Sequence, residues 1–229
     1  MKKHIPNAIT CLNLFSGCLG IVFAFQGELK LAAYSIVISA IFDFFDGMLA
    51  RLLKAYSDIG KELDSLADMV SFGVLPSVII YQLFLSSSSE GSWITYSAFL
   101  IAIFSALRLA KFNIDTRQNE NFIGLPTPAN AILIASIPFI LDQETFISYD
   151  FILNPYFLCF FSLGMGLLLV SEVYLISLKF KSLGFKENQL RYILVFSSLI
   201  LLLLFKFAAV PLIIFLYFLI SFIQFRPTK

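Results

Sequence analysis

Apolar runs long enough to cross a lipid bilayer alternate with short polar stretches along almost the whole chain. A membrane-spanning helix needs about 20 predominantly apolar residues. By that measure the pattern predicts spans near residues 7–26, 29–53, 61–85, 92–112, 155–178, 190–206 and 208–225, with one further span that follows Pro128 and ends near Leu141. The sequence therefore predicts an all-α, polytopic helical bundle with about eight transmembrane helices.

The composition supports this interpretation and excludes several classes of protein. Only 14% of the 229 residues are charged and 59% are hydrophobic, whereas soluble domains carry about 25% charged residues. The mean hydropathy is +0.88. A soluble enzyme and a disordered chain are therefore excluded. The net charge of +1 provides no basic surface of the kind that binds nucleic acid, so no nucleic-acid partner is expected.

The distribution of lysine and arginine predicts the orientation of the spans. If the N-terminus lies in the cytoplasm, only Lys30 and Lys206 of the 16 Lys and Arg residues fall on the outer side. Basic residues concentrate on the cytoplasmic side of membrane proteins. Both termini are therefore expected in the cytoplasm, and residues 1–229 are expected to form a single membrane domain. The absence of an obvious organelle signal favours a bacterial inner membrane.

Four aspartates lie where a membrane protein is expected to carry few charges. Asp43 and Asp46 belong to the second predicted span, and Asp64 and Asp68 belong to the third. Residues three or four apart share a helix face, so each pair projects from one side of its span. Both pairs lie near the cytoplasmic turn that joins the two spans. An ionised carboxylate at membrane depth is costly and by default marks a functional site.

The four carboxylates would repel one another, so they require positive charge nearby. Arg51 and Lys61 are close in sequence, but two cations cannot balance four anions by simple pairing, whereas one or two divalent ions can. Oxygen ligands favour Mg²⁺ or Mn²⁺ over zinc. Since His4 is the only histidine in the chain, a histidine-based metal site is excluded.

Small residues beside the acids predict a groove in the second span. Gly47 and Ala50 lie on the helix face of the acids, where they let a bulky group approach the backbone. Arg51 can bind phosphate through two parallel hydrogen bonds, and Gly60 gives the turn before the third span its conformational freedom. With the acids, these residues indicate phosphoryl-type chemistry on a substrate that carries a diphosphate. A helix interface with salt-bridged acids is the alternative.

Together these residues form a spaced signature: Asp43-x-x-Asp46-Gly47-x-x-Ala50-Arg51, eight residues, Gly60, three residues, Asp64, three residues and Asp68. The stretch resembles the signature of the CDP-alcohol phosphatidyltransferases, with every fixed position filled. The resemblance implies a family core in about residues 1–145 and additional transmembrane helices in about residues 150–229. It also implies a homodimer.

The resemblance implies a reaction in which an alcohol attacks the phosphorus of CDP-diacylglycerol and CMP leaves. By resemblance, the ligands of two divalent ions are Asp43, Asp46, Asp64 and Asp68. Asp68 would also act as the general base. The CDP-lipid contacts of the family map onto Asn7, Thr10, Gly47, Ala50, Arg51, Ser57 and Gly60. Helix capping is an equal alternative for Asn7 and Thr10.

Residues 71–76, 108–113 and 122–129 are similar to the phosphatidylserine synthase branch of that family. The branch implies L-serine as the alcohol and phosphatidylserine as the product. The carboxylate of serine needs a cation, so Arg108 and Lys111 are candidates to hold it. Asn113 and Thr127 are candidates to offer hydrogen bonds. For Arg108, a structural ion pair with an acid such as Asp68 is the alternative.

Two other functions are compatible with the same residues. Another branch of the family would use glycerol 3-phosphate or an inositol phosphate, and these acceptors would need a more cationic pocket. A divalent-cation or proton-coupled transporter would also line its helices with aspartates, but it would need access to them from both sides of the membrane. The acids cluster near the predicted cytoplasmic end only, and this favours the enzyme.

Overall fold

The computed structural model describes residues 4–87, 92–115, 117, 122–142, 148–177, 184 and 188–225, and these form a bundle of helices. The α-helices are α1 (His4–Phe25), α2 (Leu29–Leu52), α3 (Asp58–Asp68), α4 (Leu75–Leu85), α5 (Leu100–Ile114), α6 (Thr127–Leu141), α7 (Tyr149–Ile152), α8 (Pro155–Val170), α9 (Gln189–Phe205) and α10 (Ala209–Gln224). A π-helical turn, Met69–Val74, joins α3 to α4. Two short strands, β1 (Phe122–Ile123) and β2 (Tyr174–Leu175), pair antiparallel.

Within the part of the chain that the structure describes, length and hydropathy identify five helical stretches that can cross a membrane: residues 4–25, 29–52, 58–85, 93–114 and 189–224. The helices α6 and α8 are shorter and equally apolar. The last stretch is a hairpin, because Lys206 has a φ of 51° between α9 and α10 and Leu194 packs with Ile220 across the two helices. The chain is therefore a polytopic helical membrane protein, and this predicted fold class is confirmed.

One predicted boundary is wrong. The sequence predicts that the sixth span continues to residue 178, but α8 ends at Val170. Beyond it the backbone pairs with the segment before α6, where Gly124 N donates to Val173 O at 2.9 Å. Gly124 has a φ of +74°, and a Cβ there would meet Leu169 O at 2.5 Å, so this close approach requires glycine. The β1–β2 pair is the departure from an all-α fold in the described residues.

The helix α1 packs against both helices that carry the acids, α2 and α3. Ser16 Oγ on α1 donates to Ser35 O on α2 at 3.0 Å. Ser39 Oγ and Ser71 Oγ both donate to the carbonyl oxygen of Asn13, each at 3.1 Å. Small residues let membrane helices approach closely. As a result, α1, α2 and the π-helical turn meet around Asn13.

The turn between α2 and α3 sets the position of the α3 acids. Lys54 has a φ of 51°, and Ser57 caps α3 by accepting a hydrogen bond from Gly60 N at 3.1 Å. Because of this cap, α3 begins at Asp58, slightly before the predicted start near Lys61. A π-helical turn then follows Asp68 directly, and such turns occur frequently at functional sites.

Candidate functional site

Three of the four predicted acids form a tight group, which we call the acid cluster. Carboxylate oxygens of Asp43, Asp64 and Asp68 all lie within 4.8 Å of one another. Asp43 comes from α2, and the other two come from successive turns of α3. Asp68 is buried, whereas Asp43 and Asp64 are partly exposed. A single divalent cation can bind carboxylate oxygens that approach this closely.

Asp46 lies beside the acid cluster rather than within it. Its Oδ2 accepts a hydrogen bond from Thr10 Oγ1 at 2.6 Å, and its side chain is buried. Thr10 Oγ1 also lies 3.1 Å from Pro6 O, one turn earlier on α1. The sequence leaves both capping and binding open for Thr10, and in the structure its hydroxyl contacts a predicted metal ligand.

Asn13 is a residue of the site that the sequence analysis did not single out. Its Nδ2 donates to Asp68 Oδ1 at 3.2 Å, and this contact orients the carboxylate. Asn13 lies three residues after Thr10, so the two share a face of α1. A polar amide at that spacing in an apolar run was the available signal.

The acid cluster offers oxygen atoms that suit a divalent metal. Asp64 Oδ1 and Asn13 Oδ1 are buried oxygen atoms without a hydrogen-bond partner in the described structure. The basic side chains closest in sequence are engaged elsewhere. Arg51 Nε donates to a carbonyl of its own helix at 3.0 Å, and Lys61 Nζ donates to a carbonyl of α5 at 2.9 Å. Clustered oxygen donors of this kind suit Mg²⁺ or Mn²⁺.

A cavity of about 400 Å³ opens between α1, α2 and α3, and we call it the α1–α3 cavity. Asp46 and Asp64 line it, so it reaches the acids directly. All the residues with predicted CDP-lipid contacts also line it: Asn7, Thr10, Gly47, Ala50, Arg51, Ser57 and Gly60. The structure therefore brings this predicted set together around one space.

The two glycines of the α1–α3 cavity have different surroundings. A Cβ at Gly47 would meet no atom within 4 Å, so this position leaves open space. A Cβ at Gly60 would lie 3.0 Å from Ser57 Oγ and 3.1 Å from Asn7 Oδ1. Gly47 therefore keeps the cavity open, and Gly60 lets α1 approach the start of α3.

A second cavity, of about 320 Å³, lies where the ends of α5 and α8 meet, and we call it the α5–α8 cavity. Its charged lining consists of Arg108, Lys111, Asp115, Arg117 and Glu172. Positive and negative side chains therefore share one small space.

Arg108 is the buried cation of the α5–α8 cavity. Arg108 is only 6% exposed, and its Nε has no hydrogen-bond partner among the described residues. It interacts electrostatically with Asp68, and its guanidinium carbon lies 5.6 Å from the centre of the Phe112 ring. A buried polar group without a hydrogen-bond partner is costly, so this site favours an anionic ligand.

Arg117 divides its contacts unequally between two acids. Its Nη2 lies 2.8 Å from Asp115 Oδ2, whereas its Nη1 lies 3.3 Å from Glu172 Oε2. Hydrogen bonding to Asp115 and the charge of that group raise the pKa of Arg117 above its ordinary value. Arg117 is therefore always a cation, and it is committed mainly to Asp115.

The other two predicted serine contacts are not part of the α5–α8 cavity lining. Asn113 joins α5 to α3, because its Nδ2 donates to Ser65 Oγ at 2.9 Å. Thr127 is buried at the start of α6, and its Oγ1 has no hydrogen-bond partner in the described structure. Ser105 and Asn130 are also buried with unpartnered side-chain atoms there, and the sequence analysis did not single them out.

Comparison with known proteins relates this arrangement to a family. The sequence pattern described as CDP-alcohol phosphatidyltransferase matches residues 3–176. A CDP-diacylglycerol–serine O-phosphatidyltransferase from Mycobacterium leprae is 35% identical over 176 residues, which cover 74% of this chain and 57% of that protein. A protein of the same name from Helicobacter pylori is 36% identical over 170 residues, covering 73% of this chain and 70% of that protein. Another protein of that name, from Bacillus subtilis, is 35% identical over 171 residues, which cover 75% of this chain and 89% of that protein.

The matched region contains the whole acid cluster and the residues that line both cavities. The helices α9 and α10 lie beyond it. This chain spans a little over half the length of the Mycobacterium leprae relative.

Proposed function

This chain belongs to the CDP-alcohol phosphatidyltransferase family, and from that premise we propose that it transfers the phosphatidyl group of CDP-diacylglycerol to L-serine, giving phosphatidylserine and CMP. The names of the three relatives pair CDP-diacylglycerol with serine. One observation carries the proposal: the acids adjoin the cavity that collects every residue with a predicted CDP-lipid contact. Asp46 and Asp64 line the α1–α3 cavity, and Asp68 interacts with Arg108 of the α5–α8 cavity.

We propose that the α1–α3 cavity binds the CDP head of the donor lipid. Arg51 uses Nε on its own helix, which leaves the two terminal nitrogens of its guanidinium for phosphate oxygens. Asn7 and Ser57 add polar groups to the cavity lining. The acyl chains would extend sideways into the surrounding membrane lipids.

Gly47→Leu is expected to raise the KM for CDP-diacylglycerol about tenfold or more, because overpacking typically costs about 1–3 kcal/mol. The unfolding temperature should change little, since a Cβ at Gly47 meets no protein atom within 4 Å. Steady-state CMP release at varied donor concentration measures the effect. Gly164→Leu is the matched control, because a Cβ there also meets nothing within 4 Å and Gly164 lies outside both cavities. Equal KM values for the two variants would contradict the assignment.

The family depends on a divalent metal, and the acid cluster is suited to bind one. We propose that two ions, Mg²⁺ or Mn²⁺, bind here. Their ligands would be Asp43, Asp46, Asp64 and Asp68. When bound, such ions stabilise negative charge on the diphosphate and orient it.

Asp68 is the proposed general base. Asn13 orients its carboxylate through Oδ1, and the carboxylate lies near enough to Arg108, which lines the α5–α8 cavity, for the two charges to interact. The hydroxyl proton of serine passes to Asp68 while the hydroxyl oxygen bonds to the phosphorus next to diacylglycerol. The bond from that phosphorus to CMP breaks, and CMP leaves. A positioned base of this kind contributes about 10²- to 10⁴-fold to the rate.

Arg108→Gln and Lys111→Gln test the binding of the serine carboxylate. Loss of a charge-assisted hydrogen bond costs about 1.5–3 kcal/mol, so at least one variant is expected to raise the KM for L-serine about tenfold or more. The KM for CDP-diacylglycerol should stay within about threefold of the parent. Lys30→Gln is the control, since Lys30 pairs with Asp142 away from both cavities. A parental serine KM in both variants would exclude this role.

We propose that the protein resides in a bacterial inner membrane with its termini and active site facing the cytoplasm. The donor head group and serine would then both arrive from the cytosol. We also propose a homodimer, with about residues 1–145 as the catalytic core and about residues 150–229 as additional transmembrane helices in the same membrane domain, of which α8 and the segment after it complete the α5–α8 cavity.

The acceptor is tested by measuring CMP release from CDP-diacylglycerol with one alcohol at a time. The set is L-serine, glycerol 3-phosphate and inositol phosphate. Release with L-serine alone is the expected result. Release with a different alcohol would support phosphatidyl transfer and contradict L-serine as the acceptor. Absence of release with all three would favour the transporter alternative.

A further inference from the structure

The α5–α8 cavity contains two carboxylates, which a pocket for a simple anion would not need. Asp115 and Glu172 line it together with Arg108, Lys111 and Arg117. An acceptor that carries a phosphate would be repelled by these carboxylates. An α-amino acid carries an ammonium and a carboxylate on one carbon, so it needs both signs of charge within a few ångströms.

Building on the proposed function, we propose that Glu172 binds the α-ammonium group of the acceptor amino acid, opposite the cations that bind its carboxylate. Glu172 would then determine specificity, because it distinguishes a zwitterion from a simple hydroxy acid or a phosphorylated alcohol.

Of the two acids in the cavity, Glu172 is the one that can accept a strong hydrogen bond from a ligand. Asp115 accepts contacts from Arg117 Nη2 at 2.8 Å and from Arg117 Nε at 3.0 Å. The contact of Arg117 with Glu172 is 3.3 Å, which is longer than the roughly 2.7–2.9 Å of a strong charge-assisted bond. The Glu172 side chain is 66% exposed, so a ligand that enters from water can reach it.

A second, independent observation indicates that this cavity takes a ligand. Arg108 lines it and is buried, and its Nε has no hydrogen-bond partner among the described residues. A carboxylate on the ligand satisfies this buried cation. With the carboxylate there, the ammonium on the adjacent carbon lies within the same cavity, whose lining also includes Glu172.

The wall that carries Glu172 is fixed by backbone pairing. Val173 O, the next carbonyl along the chain, accepts a hydrogen bond from Gly124 N at 2.9 Å. The C-terminal hairpin anchors the following residues, because Tyr217 Oη donates to Ile176 O at 2.9 Å and Ile176 N donates to Ser221 Oγ at 3.1 Å. A fixed wall is what selectivity between acceptors of similar size requires.

The test compares two acceptors that differ only in the amino group, L-serine and 3-hydroxypropanoate. The purified protein is assayed by CMP release in mixed micelles with CDP-diacylglycerol, and 3-hydroxypropanoate is measured as a competitor of L-serine. Glu172→Gln is expected to raise the KM for L-serine about tenfold, as expected for loss of one charge-assisted hydrogen bond. The inhibition constant of 3-hydroxypropanoate should not rise, and it should fall if Glu172 repels this anion, while the KM for CDP-diacylglycerol should remain at the parental value.

Arg117→Gln is the matched variant, because it breaks the same ion pair and keeps the glutamate. It should not reproduce the selective rise in the serine KM. A parental serine KM in Glu172→Gln, a parallel rise of both constants, or the same selective rise in Arg117→Gln would each overturn the inference. These outcomes are distinct from failure of the proposed function, in which the unaltered protein would release no CMP with L-serine.

Discussion

Asp68→Asn is expected to lower kcat with L-serine by about three orders of magnitude, because the variant loses its general base. Asparagine has nearly the same shape, so its side chain can still accept the hydrogen bond from Asn13 Nδ2. At saturating Mg²⁺ or Mn²⁺ the KM for CDP-diacylglycerol should change little, since Asp68 is not part of the α1–α3 cavity lining. Steady-state CMP release with both substrates varied measures the two constants separately.

Glu62→Gln is the control for Asp68, because Glu62 is an exposed acid on the same helix. It should keep the parental kcat. Retention of more than about a tenth of the parental kcat by Asp68→Asn would exclude its role as the base, since such groups contribute about 10²- to 10⁴-fold. A thermal unfolding midpoint close to the parent excludes misfolding as the cause, and a loss that persists at saturating Mg²⁺ or Mn²⁺ separates the missing base from weaker metal binding.

Asp64→Asn is expected to weaken metal binding by about a hundredfold or more. Altering groups that only support a metal ligand already costs about 10- to 100-fold in affinity or activity, and Asp64 offers a buried, unpartnered Oδ1 to the cluster. Electron paramagnetic resonance of free Mn²⁺, titrated with purified protein, measures the dissociation constant without turnover. Activity should fall in parallel.

The matched control is Asp58→Asn, which removes an exposed carboxylate from the first turn of the same helix. Its Mn²⁺ affinity should equal that of the parent. If the Asp64 and Asp58 variants bind Mn²⁺ equally well, the acid cluster is not the metal site.

The helices were predictable because membrane spans depend on a local property, the length of apolar runs. The pairing of β1 with β2 gave no such signal, since Val173, Leu175 and Ile176 continue the apolar run of the helix before them. Whether that segment continues α8 depends on Gly124, about 45 residues earlier in the chain, whose backbone pairs with Val173. The boundary of the sixth span therefore required the structure.

The residues of the site were predictable where a spaced signature exists and not elsewhere. The carboxylates and the lining of the α1–α3 cavity follow from the spacing between Asp43 and Asp68. Asn13 contacts Asp68 across 55 positions of sequence, and such contacts leave no local pattern. For the acceptor, residue type alone did not distinguish Arg108, which lines the α5–α8 cavity, from Asn113, whose amide is bound to Ser65.

The most direct measurement is the formation of phosphatidylserine, detected by mass spectrometry, from isotope-labelled L-serine and CDP-diacylglycerol. The purified protein is assayed after chelation and again after Mg²⁺ or Mn²⁺ is restored, beside Asp68→Asn. We expect labelled phosphatidylserine and CMP in equal amounts, only with metal and only with the parental protein. A lipid product without the label from L-serine would contradict transfer to serine. The same yield of labelled phosphatidylserine from Asp68→Asn, or after chelation, would contradict a metal-dependent reaction at the acid cluster.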